Sequence, residues 1–400
     1  MSTTAPVQAH DPHPACGSEA VRALFPALAR TTYLSICDKT ILADPVRSNV
    51  EVFLDRLAQA SANRVDHEEM VTRSRRKFAR LVGVGEDEIA VMRNVSDGIN
   101  SIATAFPLAE GDNVLLALGA EHPNNIYPWL HQQRRGIELR NIPASEGRVD
   151  VRALVSAMDA RTRLVSVASV SFAPGERTDL VALGAECRKR GIFLLIDGVQ
   201  SAGILHHDFA QEPIDGFATS TSKGLLGLYG YGFLYVRRAW LDRLMPVHMS
   251  RTGVSADNDD ASAMGDLRYT PRPDAQRFEL GSYNLAGAYA ADAALDLILG
   301  LGTKAIEAHV LTLAEELREG LQRLGLPVFI PRLPAHLVTV GTVDAGGHGY
   351  STDPAIMQYH SRLTDAGVVS TIRRGQLRMG LHAYSNRADI EAVLQCVGRP

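Results

Sequence analysis

Four short apolar runs, NVLLAL (113–118), RLVSVASV (163–170), IFLLID (192–197) and GFLYV (232–236), alternate with stretches of helical spacing, and this alternation constrains the fold more than any other feature. Each run is too short to span a membrane and too continuously apolar for a strand with one wet face. Such runs suit strands buried on both faces of a mainly parallel sheet. VRALVSAMDA (151–160) and DLVALGAECRKRG (179–191) are then the crossover helices, the second ending on Gly191 as a helix C-terminus does. Residues 70–245 thus read as an α/β layer. From about residue 285 an alanine-rich helical stretch leads to the short runs PVFIP and LVTVGTV and a last helix-and-strand segment, which reads as a smaller α+β unit. The expected organisation is an N-terminal arm over 1–30, a large α/β domain over 31–285 and a small C-terminal domain over 286–400.

Charge and cysteine usage narrow the function classes. A net charge of −4 gives no reason to expect nucleic acid as a partner. Cys16, Cys37, Cys187 and Cys396 are scattered, without the close spacing of a metal site or a disulfide framework. No stretch has the length of a membrane span, and the N-terminus lacks a basic region followed by an apolar one. The expectation is a cytoplasmic protein with neither a metal nor a membrane partner.

In an open parallel sheet the ligand crevice lies beyond the carboxyl ends of the strands. Three polar groups stand there. IFLLID ends in Asp197, with Gln200 three residues on; RNVSDG places Ser96, Asp97 and Gly98 at a helix start, where free N–H groups favour a phosphate. TSTSKG supplies Ser220, Ser222 and Lys223 before a glycine-rich stretch that lets backbone approach closely. Taken singly, each has an ordinary structural role: a turn cap, a helix cap, a solvated lysine. Together they ask for a ligand with a phosphate, a ring carrying a protonatable nitrogen, and a carbonyl that condenses with an amine. Pyridoxal 5′-phosphate has all three, with Asp197 holding the ring nitrogen protonated and Lys223 forming the Schiff base.

The ordered set AEHPNNIYPW, LLIDGVQSAG, TSTSKG, FELGSYN and LRMGLHAYSN resembles the class V aminotransferase group of fold-type I pyridoxal-phosphate enzymes, which includes cysteine desulfurases, isopenicillin N epimerase-like proteins and C–S lyases. The resemblance runs from about residue 30 to the end. It implies that His122 stacks on the cofactor ring, that Ser96, Asp97 and Gly98 contact the phosphate, and that Arg378 grips the α-carboxylate of an amino-acid substrate. It also implies that Ser282 reaches the cofactor phosphate of a neighbouring subunit, hence a homodimer with shared active sites. Three departures from the family pattern stand out. GVVSTIRRGQLRMG holds no cysteine, so persulfide-forming desulfurase activity is expected to be absent. Phe172 takes the place of an asparagine near the ring hydroxyl, which leaves Gln200 to hold that oxygen. SICDKT introduces Lys39, which with Arg373 and Arg374 offers positive charge to a second acidic group on the substrate. The expected activity is β-elimination of the C–S lyase type or transamination of a modified amino acid, in specialised metabolism. Epimerisation and decarboxylation are the enzymatic alternatives, and a non-catalytic cofactor-binding sensor is the alternative of another class.

Overall fold

The computed structural model describes residues 14–61, 63–255 and 269–398; most of the expected arm's first half, and part of the stretch between residues 250 and 285, lie outside the described residues. Its centre is a seven-stranded sheet made of β1 (Ile89–Met92), β2 (Asn113–Leu116), β3 (Glu138–Asn141), β4 (Thr162–Ala168), β5 (Phe193–Asp197), β6 (Gly216–Ser220) and β7 (Gly232–Val236). The spatial order is β1-β7-β6-β5-β4-β2-β3, and only β7 runs against the others. The chain has the fold-type I architecture expected from its sequence.

The apolar runs are continuous because both faces of the sheet are covered. Side chains alternate along a strand, so Phe193 and Leu195 of β5 join one core with Ile99 and Ile102, while Leu194 and Ile196 join a second core on the opposite face. Helix α3 (Val95–Ala105) packs on the first face. The other face is covered in part by α2 (Arg64–Val82), preceded in the chain by α1 (Asp44–Ala58). The crossover Leu180–Arg190 ends on Gly191 at φ +67, a left-handed conformation for which glycine pays no steric penalty.

The C-terminal unit carries an antiparallel sheet of β8 (Leu337–Val340), β9 (Thr371–Arg373) and β10 (Gln376–Gly380) in the order β8-β10-β9. The expected strand at PVFIP reduces to one bridge, Val328 to Val340, because the prolines on either side, Pro327 and Pro331, cannot donate to a ladder. The structure also crosses the expected domain divisions. Thr32–Tyr33 pairs with Val368–Val369, and Arg22 binds Asp389 at 2.7 Å, so the N-terminal segment folds onto the C-terminal unit. Helix Leu285–Leu301 lies against α1 and α2, held by Lys77 to Asp292 at 2.6 Å and to Asp296 at 2.7 Å. Between these units the stretch 33–40 passes over the carboxyl edge of the large sheet, where the Thr40 N–H donates to the Ser222 carbonyl at 2.9 Å. Among the described residues no single helix is long and apolar enough to cross a membrane.

Candidate active site

A cavity of about 350 Å³ opens beyond the ends of β4, β5 and β6, and Ser96, His122, Phe172, Asp197, Gln200, Ser222 and Lys223 stand in its wall. With Ser220, which lines the same wall, seven candidate residues named from the sequence therefore come together from four separate segments, and Phe172 stands beside them.

Asp197 closes β5 and is buried; its Oδ1 accepts the Val199 N–H at 3.0 Å. Burial pushes its carboxyl above the usual carboxylate range, while that N–H and Lys223 pull the other way. A positively charged N–H donor arriving in the cavity would relieve the cost of burying this group. Lys223 follows β6. Burial draws its amine below the ordinary lysine value, Arg378 adds to the effect, and Asp197 opposes it. The result is an amine readier to lose its proton than one in water. Gln200 Nε2 donates to the Cys37 carbonyl at 2.9 Å and leaves Oε1 as a buried acceptor without a partner. His122 caps the single turn Pro123–Asn125, its Nδ1 accepting from the Asn124 N–H at 3.2 Å, and its ring meets Phe172 edge-on at 5.2 Å. Burial, followed by Lys223, pushes His122 down to about 4, so a neutral flat ring faces the cavity at neutral pH.

The phase of α3 decides which residues of RNVSDG reach the site. Ser96 lines the cavity, while Asp97 and Gly98, expected beside it at the phosphate, lie off that wall. The Asp97 carboxylate is turned to Arg93 at 3.0 Å, and its N–H is taken by the Asn94 side chain at 2.9 Å. Gly98 faces the sheet: a Cβ on it would come within 2.9 Å of the Ala218 Cβ, so glycine there permits close helix–strand packing. Ser220 joins the same two elements, its hydroxyl accepting the Val95 N–H at 2.9 Å.

Ser282 lies in a separate cleft of about 310 Å³ with Arg93 and Asp97, at a left-handed φ of +46, and does not line the Lys223 cavity of its own chain. Its segment is anchored by buried Glu279, which accepts from Arg75 at 2.8 Å, from the Val91 N–H at 2.8 Å and from Tyr283.

Arg378 sits on β10, 2% exposed, donating to the Phe172 carbonyl and, at 3.3 Å, to Thr371 Oγ1, with Nε buried and unpartnered. No carboxylate pairs with it among the described residues. Of the other expected substrate cations, Arg373 is bound to Asp38 at 2.5 Å, Arg374 donates to the Gly119 carbonyl, and Lys39 is exposed.

Sequence reasoning missed the supports of these groups. Buried Glu121 accepts from Asn125 Nδ2 at 2.7 Å and from the Ala168 N–H at 3.0 Å, which ties the His122 turn to the end of β4. His382 contacts the Gly224 carbonyl at 2.8 Å, next to Lys223. Both lie inside motifs already singled out, AEHPNN and LRMGLHAYSN. Ser201, His207 and Glu212 form a chain of contacts at 2.8 and 2.9 Å, joined at 2.7 Å to Ser169, whose hydroxyl donates to the Asp197 carbonyl at 3.2 Å. No sequence spacing marks that network.

These residues fit pyridoxal 5′-phosphate on the chain's own evidence. A buried carboxylate awaits a protonated nitrogen, an orphaned acceptor awaits a hydroxyl, a neutral ring offers a stacking face, and a buried lysine offers an amine. The fold and the cavity together define a pyridoxal-phosphate enzyme of fold-type I. The aminotransferase class-V family model matches residues 53–393, and the chain belongs to that family.

The chain is 30% identical to the uncharacterized aminotransferase YcbU of Bacillus subtilis, over 74% of this chain and 77% of that protein. It is 28% identical to a probable cysteine desulfurase of Methanothermobacter thermautotrophicus, over 94% and 96% of the two chains. A cysteine desulfurase of Serratia proteamaculans is 30% identical over 85% and 86%. Among solved structures, the apo cysteine desulfurase of Thermococcus onnurineus superposes with a TM-score of 0.80 at 23% identity, covering 94% of this chain and 96% of that one. The expected exclusion of persulfide-forming desulfurases does not stand, since relatives bearing that name align along most of the chain. It looked for a thiol just before Arg378 in sequence. In the fold, a thiol comes from a distant segment: Cys37 Sγ lies 3.9 Å from Thr371 Oγ1, which also accepts from Arg378.

Proposed function

We propose that the chain cleaves the Cβ–S bond of a cysteine derivative with pyridoxal 5′-phosphate as cofactor. The observation that carries this reading is that Lys223, a cavity-wall amine whose proton affinity burial has lowered, lies near Arg378, a buried guanidinium that donates to the carbonyl of the cavity residue Phe172 and has no carboxylate partner among the described residues. Lys223 Nζ would hold the cofactor, Asp197 would accept from its ring nitrogen, His122 would lie against its face, and Ser96 and Ser222 would meet its phosphate. Bound there, the cofactor supplies an electron sink for the pair left on Cα.

The chain's own groups do the rest. Arg378 binds and retains the α-carboxylate, in the planar manner a guanidinium favours, which orients the Cα–H bond and disfavours loss of CO2. Lys223 Nζ takes the Cα proton and can return it to the departing sulfur. Phe172 and His122 keep water from the reacting carbon. Support for sulfur chemistry comes from the names of relatives, cysteine desulfurases, and from a structural neighbour described as a cystine C–S lyase in complex with its product cysteine persulfide. The same reading takes the working unit as a homodimer, with Ser282 serving the other copy's cofactor.

The test is an end-product assay of the cofactor-loaded protein with L-cysteine, L-cystine and cysteine S-conjugates. Pyruvate with ammonia and a released thiol or persulfide supports elimination, and alanine with sulfane sulfur supports desulfuration, both being C–S cleavage. A keto acid with stoichiometric pyridoxamine phosphate, and no sulfur release, overturns the proposal in favour of transamination.

A further inference from the structure

The charges around Phe172 do not balance, and the imbalance points to the shape of the substrate. Arg373 is neutralised by Asp38 at 2.5 Å and Lys39 is solvated, so neither lacks a partner. Two guanidinium groups remain, and both lie near Phe172, a residue of the cavity wall. Arg378 donates to the Phe172 carbonyl, and Arg374 stands over the Phe172 ring, 5.9 Å from its centre. Arg374 is half-buried, donates to the Gly119 carbonyl, and has no carboxylate partner among the described residues. A guanidinium withdrawn from water without an anion is costly unless a ligand supplies one.

The backbone supplies an independent observation. Arg374 and Gly375 form the two-residue loop between β9 and β10, with Arg373 facing Gln376 across the ladder. Both loop residues take positive φ, +52 and +81. Glycine, asparagine and aspartate suit the first of these positions, and arginine is strained there. Strain kept beside a ligand cavity is the kind that function maintains against stability.

We propose that Arg374 is a specificity residue that binds a second anionic group on the substrate side chain, making the preferred substrate an acidic amino acid derivative with two carboxylates or an equivalent pair. The inference rests on the reading that Arg378 holds the α-carboxylate. It assigns to Arg374 alone the role that the sequence shared among three cations.

The test is calorimetric titration of the cofactor-loaded protein with acid and amide pairs of matched size and no cleavable sulfur: L-aspartate with L-asparagine, L-glutamate with L-glutamine, and L-2-aminoadipate with L-homoglutamine. A charge-assisted contact predicts that at least one acid binds about ten-fold or more tighter than its amide. In Arg374→Gln that ratio falls to within about two-fold while the amide's affinity is kept. Arg374→Asn, which suits the turn, loses the ratio equally and melts no lower than the parent, which separates lost recognition from lost folding. Equal binding of acid and amide by the parent protein, or a ratio that survives in both variants, overturns the assignment. Arg378→Gln separates the two readings: weaker binding of acid and amide alike upholds the α-carboxylate site, and unchanged binding of both removes it and the proposal built on it.

Discussion

Two fully buried histidines behind the lysine-bearing turn each make the fold more sensitive to acid. His382 has both ring nitrogens engaged, by the Gly224 carbonyl at 2.8 Å and the Ala383 N–H at 2.7 Å. His336 has a partner for neither. Burial pushes His336 down to about 3 and His382 to about 4, from an ordinary 6.5. Because the folded values lie below the unfolded one, the unfolded chain takes up protons that the folded chain refuses. The stability they contribute is complete above about pH 6.5 and is lost as pH falls toward the folded values. Each unit of pH in that window is worth about 1.4 kcal/mol per group, so acidifying from pH 7 to 5 costs about 2 kcal/mol for each histidine. The pair costs about 4 kcal/mol, a large share of the roughly 5–15 kcal/mol that holds a domain folded. His336→Leu removes one titrating group and two unsatisfied polar atoms. It is expected to stabilise the protein by about 1 kcal/mol at pH 7 and to reduce the acid loss by about 2 kcal/mol. Urea unfolding of the parent and variant at pH 7 and pH 5 measures both effects. Equal losses in the two proteins between those pH values would refute the argument that His336 is buried neutral.

Two further outcomes follow from the packing and charge of the site. Gly98→Val places a side chain where even a Cβ comes within 2.9 Å of Ala218; a drop of about 1–3 kcal/mol is expected, with a smaller one for Gly98→Ala because alanine favours the helix. An unchanged melting temperature in the valine variant would refute the close helix–strand packing at this glycine. Asp197→Asn keeps the size of the buried side chain but not its charge, so cofactor-dependent turnover is expected to fall by about 10²-fold or more while the cofactor-free protein melts no lower. Full turnover in that variant would mean that no protonated ring nitrogen rests on Asp197.

The parts of the fold that were legible in the sequence are those governed by local period and burial. GFLYV forms a strand over the run as read, and IFLLID and NVLLAL differ by one or two end residues, because a strand covered on both faces is apolar at nearly every position. Asp197 and Lys223 were visible because an acid or a lysine at the end of such a strand has few other reasons to be there. That Ser96 lines the cavity while Asp97 and Gly98 lie off its wall was not legible, because each residue turns a helix by about 100° and neighbours point to different sides. Cys37 and the Ser201–His207–Glu212 chain depend on contacts between distant segments. The pairing of Thr32–Tyr33 with a strand more than 330 residues away was illegible for the same reason.

The central claim is that Lys223 is the residue that carries the cofactor. Borohydride reduction of the cofactor-loaded protein, followed by mass mapping of its peptides, tests this directly. The account predicts one pyridoxyl adduct, on the peptide containing Lys223, and none in Lys223→Ala; an adduct on Lys39, Lys77, Lys189 or Lys304 instead, or none in the parent protein, would contradict it.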